Sequence, residues 1–171
     1  MVLLILFTGM RSNEVLALKK EDILDSGTIL IRDSKTHTSR TAFLHPEVKE
    51  ALATYHAQHP NPDNPYVFYP HYGRLTSPLT YTAIRAVVKE LFIEAGIYKS
   101  GLNLHCLRHT FARCLVESGF RREDIQKLLG HKSLRSTEIY TVLSDQDVLK
   151  KAPLVYESIQ AYLEESEKLL P

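Results

Sequence analysis

The chain has 171 residues and a mass of 19.5 kDa, enough for one domain with its own core. Hydrophobic residues make up 44% and charged residues 24%, a globular balance that excludes a disordered tail. Lys plus Arg number 21 against 20 Asp plus Glu, and this net charge of +1 argues at first against a nucleic-acid partner. The balance is uneven along the chain. Residues 1–152 carry 20 basic and 16 acidic residues, a net of +4, whereas 153–171 carry Lys168 against Glu157, Glu164, Glu165 and Glu167, a net of −3.

The opening run 1–7 is apolar but too short to span a membrane, and it lacks the basic flank of a signal peptide. It reads as a buried helix stopped at Thr8-Gly9. A short helix follows over about 12–19. Residues 28–32 and 40–44 read as two strands of a hairpin, joined by the polar segment 33–39. Pro46 suits the first position of a helix over 46–58. The Asn/Pro-rich stretch 61–65 is a loop, followed by the short apolar run 66–69. Thr80 is placed to cap a helix over 81–95, whose apolar residues Ile84, Val87, Val88, Leu91, Phe92 and Ala95 fall at helical spacing. Helices over 105–118 and 122–129 end at Gly119 and Gly130, residues suited to the left-handed position past a helix end. Residues 154–170 read as a final acidic amphipathic helix. The fold class is therefore α+β, mainly α-helical with a small antiparallel β-sheet near the N-terminus. Cys106 and Cys114 lie eight apart, about 12 Å along a helix and too far to bridge, which fits a reduced, cytoplasmic protein.

The densest polar cluster is His105-Cys106-Leu107-Arg108-His109. On a helix, His105, Arg108 and His109 share a face. Histidines four apart suggest a metal pair, but the zincin pattern needs Glu after the first His, and Cys106 stands there. Singly, Arg11, Lys35, His131 and Tyr140 each have an ordinary reading as surface or packing residues. Together the set suits phosphoryl transfer without a metal. Two guanidiniums clamp the oxygens of a phosphodiester and stabilise the charge of its pentavalent transition state. A tyrosine serves as covalent nucleophile, and a lysine or histidine supplies a proton to the leaving alkoxide.

These residues lie in four boxes. Thr8-Gly9-Met10-Arg11, followed by Glu14-Val15-Leu16, resembles the first arginine box of the tyrosine recombinase (phage integrase) family. Ser34-Lys35-Thr36 resembles that family's hairpin lysine. His105-Cys106-Leu107-Arg108-His109 resembles its H-x-L-R-H box, and Leu128-Leu129-Gly130-His131 with Tyr140 resembles its L-G-H segment and nucleophile.

The resemblance implies that Tyr140 attacks a DNA phosphodiester, forming a 3′-phosphotyrosyl link and freeing a 5′-hydroxyl. Arg11 and Arg108 would hold the scissile phosphate, Lys35 would protonate the leaving oxygen, His105 would assist proton transfer, and His131 would hydrogen-bond the phosphate. No cofactor, metal or nucleotide is implied. The partners implied are double-stranded DNA and, on it, a homo-tetramer; no membrane partner is expected. His109 is expected to be structural, and Glu14 to orient Arg11 or stabilise its helix. Lys99, Arg113, Arg121, Arg122, Lys127, Lys132 and Arg135 are candidate phosphate contacts. Residues 1–152 are expected to form the catalytic domain. The acidic helix 153–171 would dock either on its own domain or on a neighbouring protomer. The family's N-terminal clamp domain and first helix have no counterpart in these 171 residues. A type IB topoisomerase-like nicking activity, a non-catalytic DNA-binding remnant and a zinc-binding domain built on His105, His109 and His131 are the alternatives.

Overall fold

The apolar N-terminal run forms helix α1, Val2–Thr8, with Leu4, Ile5, Leu6 and Phe7 all buried. The computed structural model describes residues 1–32, 39–72, 76–130 and 145–167. Helix α1 ends on Gly9 in the left-handed conformation, φ +62°. Chain direction then reverses into a short helix α2, Ser12–Ala17. This helix stops two residues before its expected end. Leu18 leaves in an extended conformation because its carbonyl accepts from Val67 N–H (2.9 Å), while Lys20 N–H donates to Pro65 O (2.8 Å). Pairing with the loop at 65–67 thus outweighs one more turn of helix.

Three antiparallel strands follow, in the order β1 (Ile23–Leu24), β2 (Thr28–Arg32) and β3 (Ser39–Phe43). The two-residue β1 is too short to show an alternation in the sequence. In β2 and β3, Ile29 pairs with Ala42 and Ile31 with Arg40. Ile29, Ile31 and Ala42 are buried, so period-2 alternation turns Arg40 toward the interior with them. Helix α3 occupies Pro46–Gln58 as expected. His45 caps it by accepting from Glu47 N–H at 3.3 Å. Helix α4, Tyr81–Glu94, is capped by Thr80, and its buried stripe is Ile84, Val88 and Phe92. Val87 and Leu91, expected on the same face, are exposed.

Helix α5, Leu104–Glu117, runs through the centre and packs mainly on α1. Asn103 caps it, accepting from His105 N–H at 2.8 Å. Helix α6, Arg122–Leu129, ends on Gly130 at φ +64°. The last helix, α7, spans Asp145–Glu167 and passes through Pro153, so it starts nine residues before the expected 154. An interior proline costs about 3 kcal/mol. Burial of Val155 and Ile159 in the core offsets this, at roughly 1.5–3 kcal/mol for each side chain. The α7 helix docks on its own domain. Lys151 pairs with the buried Asp124 at 3.0 Å, Ser158 Oγ donates to Cys114 O at 2.9 Å, and the Tyr156 ring lies 4.4 Å from His45. Both cysteines are free thiols. Among the described residues, no helix is long and apolar enough to cross a membrane.

A Cβ on Gly9 would overlap the Phe111 ring and lie 2.9 Å from Leu129 Cδ2, whereas one on Gly27, also left-handed at φ +77°, would meet nothing within 4 Å. Left-handed strain costs about 1–2 kcal/mol and overpacking adds about 1–3 kcal/mol. Denaturant unfolding should therefore show Gly9→Ala destabilised by about 2–5 kcal/mol and Gly27→Ala by only about 1–2 kcal/mol. Equal losses at the two positions would contradict the close packing of α1 on α5.

Candidate active site

Helix α6 ends with carbonyls that have no partner within the helix, at the negative end of its dipole. Three arginines from three other elements supply the missing donors. Arg40, from β3, donates Nε–H to Leu128 O at 3.0 Å. Arg108, from α5, donates Nη2 to Leu129 O at 2.6 Å. Arg11, at the start of α2, donates Nη2 to Gly130 O at 2.7 Å. Consecutive carbonyls thus gather side chains from residues 11, 40 and 108. Arg108 is also tied to the α1 turn, since Nη1 donates to Gly9 O at 2.5 Å. The left-handed Gly9 and Gly130 are where the backbone turns to present these oxygens.

Glu14 lies beneath the arginines, with its side chain only 7% exposed. Its Oε1 accepts from Arg11 Nη1 at 2.7 Å and Arg40 Nη1 at 2.8 Å. Its Oε2 accepts from Arg40 Nη2 and from the Arg11 backbone N–H, both at 2.7 Å. Burial alone would raise the Glu14 pKa, but the bonds and charges of Arg40 and Arg11 more than offset this, and the carboxyl stays below its ordinary value. Among the described residues, the three guanidiniums contribute +3 and Glu14 −1, leaving a net +2 at one partly enclosed spot. The Arg108 pKa is lowered to about 10, first by burial and then by the charges of Arg11 and Arg40, with Glu14 pulling the other way. It remains protonated at neutral pH, and an arriving anion would relieve its repulsion.

Arg11 and Arg108 each commit one bond from each terminal nitrogen. The second hydrogen on each of those nitrogens and the Nε–H stay uncommitted among the described residues. His105 lies on the exposed first turn of α5, three residues before Arg108 and close enough to Arg108 and Arg11 to feel their charges. Its ring lies 5.1 Å from His109, edge to face. Partial burial, followed by the nearby charges of His109, Arg108 and Arg11, lowers the His105 pKa, which favours the neutral ring that can accept a proton. Among the described residues, no group of three or more His, Cys, Asp or Glu side chains is arranged to hold a metal ion.

Arg11, His105 and Arg108 are therefore brought together from distant parts of the chain. Lys35, His131 and Tyr140 lie outside the described residues. Of the expected phosphate contacts, Lys99, Arg122 and Lys127 are exposed, while Arg113 pairs with Glu117 at 2.7 Å and Arg121 with Asp124 at 3.3 Å. Lys132 and Arg135 also lie outside the described residues. Arg40 is absent from the sequence-based set. Its signal is the alternation of Arg40 with the apolar Ala42 and Leu44, both buried, along the segment 40–44.

A family model described as the phage integrase family matches residues 1–147, and the chain belongs to that family. It is 36% identical over 146 residues to the tyrosine recombinase XerC of Lactobacillus delbrueckii subsp. bulgaricus, covering 81% of this chain and 48% of that protein. A crystal structure of XerA recombinase superposes with a TM-score of 0.66 at 31% identity, covering 87% of this chain and 54% of that one. XerH site-specific recombinase, solved bound to palindromic difH substrate as a post-cleavage complex, superposes at 0.60 with 28% identity, over 97% of this chain and 43% of that one. The chain spans about half the length of the curated relatives it matches.

The crowding of cations around His105 can be read directly by NMR. Its imidazole should titrate below the ordinary histidine value of about 6.5, and His109→Ala, which removes the largest of the electrostatic contributions, should move that titration upward. An unchanged or lowered midpoint in the variant would contradict the repulsion.

Proposed function

We propose that this chain is the catalytic domain of a site-specific DNA recombinase, cutting and rejoining double-stranded DNA through a 3′-phosphotyrosyl intermediate. The observation that carries this reading is the convergence of Arg11 and Arg108 on the adjacent carbonyls of Gly130 and Leu129, with His105 beside them. A phosphodiester carries one negative charge, and its pentavalent transition state carries about one more. The net +2 of Arg11, Arg40, Arg108 and Glu14 offsets that developing charge, which favours lowering the barrier over merely binding the ground state.

In this reading the uncommitted N–H groups of Arg11 and Arg108 grip the non-bridging oxygens. Neutral His105 accepts a proton from the attacking hydroxyl as the phosphorus–oxygen bond forms. Tyr140 is the nucleophile, Lys35 protonates the departing 5′-oxygen, and His131 hydrogen-bonds the phosphate. The phosphotyrosyl bond conserves the energy of the broken linkage, so rejoining needs neither a nucleotide nor a metal. A relative solved in a post-cleavage complex with its DNA substrate supports the assignment. Residues 1–152 would form the catalytic domain, and 153–171 its acidic C-terminal tail. Double-stranded DNA is the partner, a tetramer is the working assembly on DNA, and the cytoplasm is its location.

Incubation with a pool of nicked duplexes of randomised sequence, in which the freed 5′ piece diffuses away, should trap a covalent protein–DNA adduct. Tyr140→Phe should abolish it, and Arg11→Ala should slow it by about 10²–10³-fold. An adduct that persists in Tyr140→Phe would exclude the assigned nucleophile. No adduct from the wild-type chain would exclude the strand-transfer reading.

A further inference from the structure

Arg40 belongs to none of the four boxes, yet among the described residues its side chain makes more charge-assisted contacts than that of either proposed phosphate-binding arginine. All three of its nitrogens are engaged, Nε on Leu128 O and both Nη on the two oxygens of Glu14. Its side chain is 13% exposed against 35% for Arg11. Arg40 therefore faces inward with every nitrogen engaged, while Arg11 is the more exposed and, among the described residues, keeps donors to spare. A planar fork on a carboxylate is the strongest arrangement the pair can adopt.

We infer that Arg40 is the counter-ion of Glu14 and, by neutralising that carboxylate, keeps the charge of Arg11 available to the scissile phosphate. The inference rests on the strand-transfer reading above and gives Arg40 a positioning role within it. The charge balance shows why it matters. With Arg40 present, Glu14 is neutralised from below and Arg11 and Arg108 together present +2 to the phosphate. Without Arg40, the nearest cation to Glu14 is Arg11, already bonded to Oε1 at 2.7 Å. Arg11 would then close onto both oxygens, and the charge available to the transition state would fall to +1. A competing role is a simple strap, in which Arg40 only ties β3 to the end of α6 through Leu128 O. The two roles differ in their response to removing Glu14.

The test uses single-turnover cleavage of a nicked duplex recovered covalently from the randomised pool, with folding of each variant checked by circular dichroism. Arg40→Gln should slow adduct formation by about 10- to 100-fold, the range seen when outer partners that orient a site's ligands are removed. Adding Glu14→Gln removes the carboxylate that would capture Arg11, so the double variant should recover much of that loss. If Arg40→Gln does not fold, Arg40→Lys carries the comparison, since it keeps the charge but cannot reproduce the fork and the Leu128 bond together. Retention of most of the rate then supports the counter-ion role, and loss overturns it. A wild-type rate in Arg40→Gln, or a loss that Glu14→Gln leaves untouched, also overturns the inference while the strand-transfer reading stands. A wild-type chain that forms no adduct overturns that reading, and this inference with it.

Discussion

Three consecutive carbonyls at the end of α6 hold three arginines, and one buried carboxylate keeps them from repelling one another apart. The rest of the structure serves this contact. Helix α5 carries Arg108 into the middle of the domain, β3 brings Arg40 from the sheet, and the turn after α1 supplies both Arg11 and the Gly9 carbonyl that steadies Arg108. Helix ends are usually satisfied by water or by local caps. Here the donors come from up to 119 residues away, so the site forms only when segments spread from Gly9 to Gly130 have folded together.

That arrangement explains how a nearly neutral protein can present a strongly cationic site. A net charge of +1 describes the whole chain, whereas chemistry at a phosphate responds to the few charges within a few ångströms of it. Screening also matters, because exposed lysines and arginines spread over a surface lose much of their influence within about 10 Å at moderate salt. The buried cluster is shielded far less. The acidic tail that pulls the total down is carried on α7, whose apolar residues Val155 and Ile159 are buried in the core while Glu157 and Glu164 face solvent.

Much of this was legible in the sequence because it rests on local rules. Proline at a first helical position and Thr80 at an N-cap marked α3 and α4, and Gly130 marked the end of α6. The spacing of His105 and Arg108 placed both on one helix face. What escaped depends on partners distant in sequence. Strand β1 has only two residues and exists because β2 pairs with it. The early end of α2 follows from the loop at 65–67, which no periodicity within the helix reveals. Pro153 marks a boundary to any local reading, yet α7 continues through it because the core on the other side rewards the helix. Glu14 looked like an ordinary i, i+3 partner of Arg11. That it is shared with Arg40, 26 residues further on, is a tertiary fact. An arginine in a short strand is by default solvent-facing, and only the burial of Ala42 and Leu44 on the same face reverses that expectation.

The central claim is that Arg11 and Arg108 form a phosphate site whose charge is set by a Glu14–Arg40 pair beneath it. A crystal structure of the chain covalently joined to DNA tests this most directly. Both non-bridging oxygens of the attached phosphate should lie within hydrogen-bond distance of Arg11 and Arg108, with Arg40 still forked on Glu14 below them. A phosphate seated away from these two guanidiniums, or Arg40 released from Glu14 to contact the DNA itself, would contradict it.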